Sequence, residues 1–109
     1  MVDYKALLSE IWGYAETGFE EYKSSEAMCK FLENEGFTVT RNIAHMETAY
    51  EAVYGSGHPV ICFLAEYDAL PEIGHACGHN LLGTAVCAAA CALKEDMTAS
   101  GAQGTIIVY

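Results

Sequence analysis

The residues best equipped for chemistry lie within fifteen positions, Glu66 to Asn80, where the chain reads EYDALPEIGHACGHN. Thiolate, imidazole and carboxylate are the donors that a zinc-like divalent ion takes, and Glu66, Asp68, His75, Cys77 and His79 supply all three types. Pro71, Gly74 and Gly78 punctuate the segment, so its backbone can turn tightly enough to gather side chains. Cys77 and His79 flank a glycine, and side chains at i and i+2 around such a residue can converge on one ion. A helix amino terminus close behind them would help to hold Cys77 as a thiolate. The bland alternative is a buried cysteine beside a surface histidine. A second histidine and two acids nearby weigh towards ligation, so Cys77 and His79 are the candidate metal ligands, with the bland alternative still open on the residues alone.

The elements that must position this segment follow from periodicity. Asp3 to Ala15 carries Ala6, Leu7, Ile11, Trp12 and Ala15 at helical spacing, which predicts an amphipathic helix. A loop around Thr17 and Gly18 follows, and Ser24 or Ser25 can cap a second helix whose Met28, Phe31 and Leu32 face inward until Gly36 ends it. Phe37 to Ile43, Thr48 to Tyr54 and Val60 to Glu66 read as strands, with Gly55, Ser56 and Gly57 turning between the last two as a hairpin. The run from Val60 to Ala65 is apolar enough for a strand buried on both faces. Asn80 can cap a helix from Leu81 to about Asp96, Thr98 to Gly104 reads as a loop, and Thr105 to Tyr109 reads as the last strand. Strand, helix, strand after Val60 makes a βαβ unit. The fold class is therefore α/β, a mixed sheet covered by helices, with its ligand site at the carboxyl ends of the strands. Glu66, Asp68, Cys77 and His79 all fall there.

Composition narrows the partners. A formal charge of -10 with five Lys and Arg leaves no basic face for nucleic acid or an anionic membrane, so a small-molecule substrate fits better. No basic and apolar leader pattern is present, and the weakly polar run from Leu81 to Leu93 is shorter than the roughly 20 residues that span a bilayer. A cytoplasmic protein is expected. Five cysteines form no regular framework, and Cys29, Cys62, Cys87 and Cys91 sit in apolar stretches as core residues of a protein in a reducing compartment. Without a Cys-x-x-Cys pair, thiol redox chemistry is disfavoured. Glu16, Glu20 and Glu21 read as a solvated cluster, Trp12, Tyr14 and Phe19 as packing residues, and His45 and His58 as surface histidines.

Extended to EYDALPEIGHACGHNLLGTA, the central segment resembles the metal-site region of the aminoacylase and carboxypeptidase family of co-catalytic metallopeptidases. It is most similar to the amidohydrolase branch that contains aminobenzoyl-glutamate hydrolase and related dipeptidases. Ile11 to Phe37 is similar to that branch's opening helices, and TAYEAVYGSGHPVICFLAEYDAL to its first strands. The resemblance implies that Cys77 and His79 are metal ligands and that Asp68 is the aspartate supporting the site from behind them. His75 matches the first histidine of the box and is read as a loop-supporting hydrogen-bonding residue. Glu66 stands where other branches carry a metal-binding histidine, and is read as a supporting or solvated acid.

The resemblance also implies two divalent ions, zinc or manganese, sharing a bridging water, with a glutamate as general base in the hydrolysis of an amide or dipeptide substrate. In that family a glutamate pair, the base and a ligand, follows the last strand of this region. Residues 1–109 are accordingly expected to be the amino-terminal part of a catalytic domain, stopping before that pair and inactive by themselves. The alternative is a truncated, non-catalytic α/β piece that binds metal weakly or self-associates. Uncovered strand edges lead in either case to an expected homo-oligomer.

Overall fold

The computed structural model describes residues 2–109. Helix α1, Tyr4–Tyr14, starts at Asp3, whose carboxylate accepts from the Ala6 amide at 3.0 Å. Leu7 and Ile11 are buried, whereas Trp12 is 60% exposed, so the inward stripe is narrower than the periodicity suggests.

Helix α2, Tyr22–Asn34, begins before the predicted serine cap, and Ser24 and Ser25 lie buried inside it. Its amino terminus is satisfied from upstream instead: Glu16 accepts from the amides of Lys23 at 3.0 Å and Ser24 at 2.7 Å. A carboxylate there meets both the unpaired N–H groups and the positive end of the helix dipole. Glu21 is buried and accepts from the Thr48 hydroxyl at 2.8 Å. Of the three acids expected to form a solvated cluster, only Glu20 is exposed.

Four strands follow: β1 (Thr38–Arg41), β2 (Tyr50–Ser56), β3 (Val60–Phe63) and β4 (Gly104–Val108). Their order is β1-β2-β4-β3, with β3 and β4 parallel and the other pairs antiparallel. The mixed α/β sheet and its βαβ unit match the expectation, but the hairpin does not, because β4 lies between β2 and β3. Ala52 faces Val108 and Tyr54 faces Ile106 in register, which lets the buried side of β4 join that of β2 under the helices. Gly55, at φ +81°, permits the approach, since a side chain there would collide with the Gly104 carbonyl. Consequently β3 is an edge strand and is not buried on both faces: Val60 and Ile61 are 47% and 43% exposed, and Cys62 is exposed rather than in the core.

Helix α3 runs His79–Ser100, absorbing part of the expected loop after Asp96 and ending at Gly101 with φ +73°. Its cap is Gly78, at φ +85°, and Asn80 is buried in the first turn instead of capping it. Gly83 lets this helix lie against the end of the sheet. A Cβ there would sit 2.6 Å from the Glu66 carbonyl oxygen and would also overlap the Met28 side chain. Leu7, Ile11, Met28, Leu32, Tyr50, Cys87 and Ile106 form the centre of the core between helices and sheet. No helix among the described residues is long and apolar enough to cross a membrane.

Candidate functional site

Beyond β3 the chain stays extended before it turns. The Ala65 amide donates to the Tyr109 carbonyl at 2.7 Å, and the Ala69 amide donates to the Glu16 carbonyl at 2.7 Å, where Thr17 and Ala69 form an isolated bridge. Successive side chains of an extended segment point to opposite sides. Tyr67 is buried, with its hydroxyl bonded to the Thr48 carbonyl, whereas Glu66 is exposed and Asp68 half-buried. Leu70 and Gly74 then exchange backbone hydrogen bonds at 2.9 and 3.2 Å, and the Gly78 amide bonds the His75 carbonyl at 3.1 Å. This compact turn delivers Cys77 and His79 to the head of α3.

His79 is the centre of the cluster. Its Nδ1 lies 2.7 Å from Asp68 Oδ1, and its Nε2 lies 3.0 Å from Glu66 Oε2 and 3.4 Å from Cys77 Sγ. An ionised carboxylate only accepts, and a neutral imidazole has one N–H. With that proton on Nδ1 towards Asp68, the Nε2 lone pair is left facing the Cys77 thiol, which can donate to it, and the Glu66 carboxylate. The donor types, a thiol and an imidazole oriented by a carboxylate, suit a divalent metal. The number falls short, because no group of three or more His, Cys, Asp or Glu among the described residues is arranged to hold an ion. The structure thus brings together Cys77, His79, Asp68 and Glu66 of the candidate residues.

It separates the others. His75 is buried, its Nε2 lies 3.1 Å from the Ile11 carbonyl and its ring lies 6.2 Å from that of Trp12, centre to centre. Since a carbonyl accepts, Nε2 carries the proton, and the residue ties the turn to α1. His45 and His58 are exposed. Two aromatic residues assigned to core packing lie at the surface: Trp12 is exposed apart from its contact with His75, and Phe19 is 77% exposed with φ +67°. Phe19 follows Gly18, whose Cβ position lies 4.0 Å from Asp68 Oδ2, so this loop borders the cluster. The sequence reading missed Tyr67, Thr48, Glu16 and Glu21 as supports of the site. The alternation of Glu66, Tyr67 and Asp68 at a strand end was the available signal for the first.

Burial distinguishes the remaining thiols from Cys77, which is exposed. Loss of solvent pushes Cys29 and Cys91 up to about 11 and Cys87 up to about 12, so these three remain neutral core groups. The same cause raises Tyr67 to about 12, which keeps its hydroxyl a donor to Thr48.

No family model matches the chain. It is 43% identical to one of the subunits of p-aminobenzoyl-glutamate hydrolase from Escherichia coli (strain K12), over 97% of this chain and 26% of the relative. It is 33% identical to Xaa-Arg dipeptidase of Mus musculus, over 84% of this chain and 24% of that protein, and 33% identical to the Homo sapiens Xaa-Arg dipeptidase. The chain spans about a quarter of the length of the curated relatives it matches. Among solved structures, a dinuclear metal-binding peptidase of the M20 family from Bacillus subtilis superposes with a TM-score of 0.75 at 21% identity, over 96% of this chain and 34% of that one. A Staphylococcus aureus protein assigned as an aminohydrolase gives 0.69 at 20% identity, over 96% of this chain and 33% of that one. These likenesses show the fold. The resemblance carried by the Glu66 to Asn80 segment is borne out: the chain is a relative of part of these hydrolases and dipeptidases, on the α/β fold of M20 peptidases.

Proposed function

We propose that these residues form the amino-terminal part of the catalytic domain of a metal-dependent hydrolase, acting on amide bonds in acylated amino acids or dipeptides. Cys77 and His79 contribute one side of its metal site. The observation that carries this reading is the imidazole of His79, fixed at Nδ1 by Asp68 at 2.7 Å and presenting Nε2 to Cys77 Sγ at 3.4 Å. The names of the curated relatives, a hydrolase and dipeptidases, support the reaction class.

A divalent ion at such a site supplies Lewis-acid polarisation of an amide carbonyl. Asp68 holds the proton on His79 Nδ1, which keeps the lone pair at Nε2 available. Cys77 gives a soft thiolate donor, which fits zinc better than manganese. Glu66 adds a carboxylate beside Nε2 at 3.0 Å. At least one further ligand and the general base are supplied by residues outside these 109, since a catalytic zinc site uses three protein ligands and a water. Two ions in the complete enzyme, and a reducing, cytoplasmic setting for five free thiols, belong to the same reading.

A second reading, self-association without catalysis, is favoured by the open apolar edge of β3 and the exposed Leu64 beyond it. A monomer in sedimentation would remove it. The main reading is tested by turnover of acylated amino acids, aminobenzoyl-glutamate and dipeptides, with zinc or manganese and with chelator. Turnover is expected only from a longer protein carrying this segment, because a missing base costs about 10² to 10⁴ in rate. Chelator-sensitive turnover by residues 1–109 at the rate of the longer protein would overturn the assignment of the base.

A further inference from the structure

Three side chains in sequence, Glu66, Tyr67 and Asp68, divide their work by the two-residue alternation of extended chain. Both acids touch His79: Glu66 Oε2 lies 3.0 Å from Nε2 and Asp68 Oδ1 lies 2.7 Å from Nδ1. The residue between them points the other way. Tyr67 is 9% exposed, its ring stacks on Tyr50 with centres 6.0 Å apart and planes 20° apart, and its hydroxyl donates to the Thr48 carbonyl. Thr48 is itself fixed, because its hydroxyl donates to the buried Glu21 carboxylate at 2.8 Å. The acidic segment is not held within a strand here, since β3 ends at Phe63. Its flanking backbone ties are the Ala65 and Ala69 amides, and between them Tyr67 is the deeply buried side chain.

We infer that Tyr67, held by Thr48 and Glu21, is a positioning residue that sets the two carboxylates of Glu66 and Asp68 on the His79 imidazole. The inference rests on the reading of Cys77 and His79 as metal ligands, and it extends the site inward to residues that touch neither substrate nor metal. Ring orientation behind a ligating histidine governs metal affinity, and loss of such support commonly costs 10 to 100-fold, roughly. By anchoring the backbone at Tyr67, the hydroxyl bond to Thr48 fixes the side to which its neighbours Glu66 and Asp68 point.

The test uses the chain as it stands, labelled with ¹⁵N-histidine, with two readouts: the His79 Nδ1 proton resonance without metal, and cobalt(II) affinity. Tyr67→Phe removes only the hydroxyl. It is expected to weaken cobalt(II) binding about tenfold and to speed exchange of the His79 Nδ1 proton with water, as Asp68→Asn does in the same experiment. Tyr50→Phe, which removes the other stacked hydroxyl, is expected to lower thermal stability while leaving both readouts unchanged. That contrast separates positioning from general packing. If Tyr67→Phe does not fold, Thr48→Val decides, with a loss of a few-fold expected in the same direction. A folded Tyr67→Phe or Thr48→Val with wild-type proton exchange at His79 overturns the inference. Failure of the wild-type chain to bind cobalt(II) through Cys77 and His79 would sink the metal reading instead, and the Nδ1 proton would still decide the role of Tyr67.

Discussion

Arg41 and His79 are each gripped by two carboxylates, and the way their hydrogen bonds are filled differs. Arg41 meets Glu26 through Nε at 2.8 Å and Nη2 at 3.1 Å, and Glu33 through Nη1 at 2.6 Å and Nη2 at 3.2 Å. Every carboxylate oxygen in that cluster receives an N–H from the rigid guanidinium fork. Arg41 holds both glutamates below their ordinary range, and they raise the guanidinium in turn. The cluster is closed and ties the end of β1 to α2. At His79 two carboxylates and a thiol surround a ring with two nitrogens. The ring's two nitrogens cannot fill both carboxylates as the guanidinium does, and Nε2 faces the Cys77 thiol and the Glu66 carboxylate together. The lesson is that a donor count, more than proximity of charges, separates a closed structural tie from a cluster with an unfilled side.

The comparison can be broken first through the thiols. In the folded chain Cys77 and Cys62 should alkylate at pH 8 at least about 100-fold faster than Cys29, Cys87 and Cys91, whose raised pKa values and burial withhold the thiolate. Mass mapping of the label reads this, and zinc should slow Cys77 alone. Equal slowing of Cys62 would mean that zinc acts without a site. The same three buried thiols set an alkaline limit. Their folded pKa values exceed the unfolded value near 8.5, so the stability they contribute is full below about pH 8.5 and is lost as pH rises towards 11 to 12.

A smaller effect is expected at the closed cluster. Arg41→Leu should lower Tm by about 5 °C or less at pH 7, because exposed pairs contribute modestly even when bidentate, and it should leave metal binding untouched. The sign with pH follows from the lowered carboxyls. Stabilisation is present above the unfolded glutamate value near 4.3 and is lost as pH falls through the lowered folded values. The melting difference between wild type and Arg41→Leu should therefore shrink in acid. A difference that grew in acid would show that Arg41 acts through something other than Glu26 and Glu33.

The site was more legible in the sequence than the sheet that carries it. Donor types are local, so Cys77 and His79 could be picked out as candidates by identity and spacing and Asp68 through the family resemblance, and the structure brings the three together; a glycine-bounded turn ahead of a helix could be read from Gly74 and Gly78. Strand partners are not local. The Gly55 to Gly57 turn looks like a hairpin until β4, arriving from far downstream, takes the place beside β2, and the apolar run at Val60 cannot disclose that it ends at an edge. Helix α2 teaches the same: its amino terminus is satisfied by Glu16 through a fold-dependent contact, which no serine at the expected cap position could foretell. Acids whose partners lie far along the chain, such as Glu21 with Thr48, look like solvated charge when read in one dimension.

The central claim, that Cys77 and His79 form one side of a metal site, is tested most directly by the absorption spectrum of the chain titrated with cobalt(II). A thiolate-to-metal charge-transfer band should appear and saturate, vanish in Cys77→Ser, weaken by well over about tenfold in apparent affinity in His79→Ala, and persist in Cys62→Ser. A band that is unchanged in both Cys77→Ser and His79→Ala, or no band at any cobalt(II) concentration in a folded wild-type chain, would contradict it.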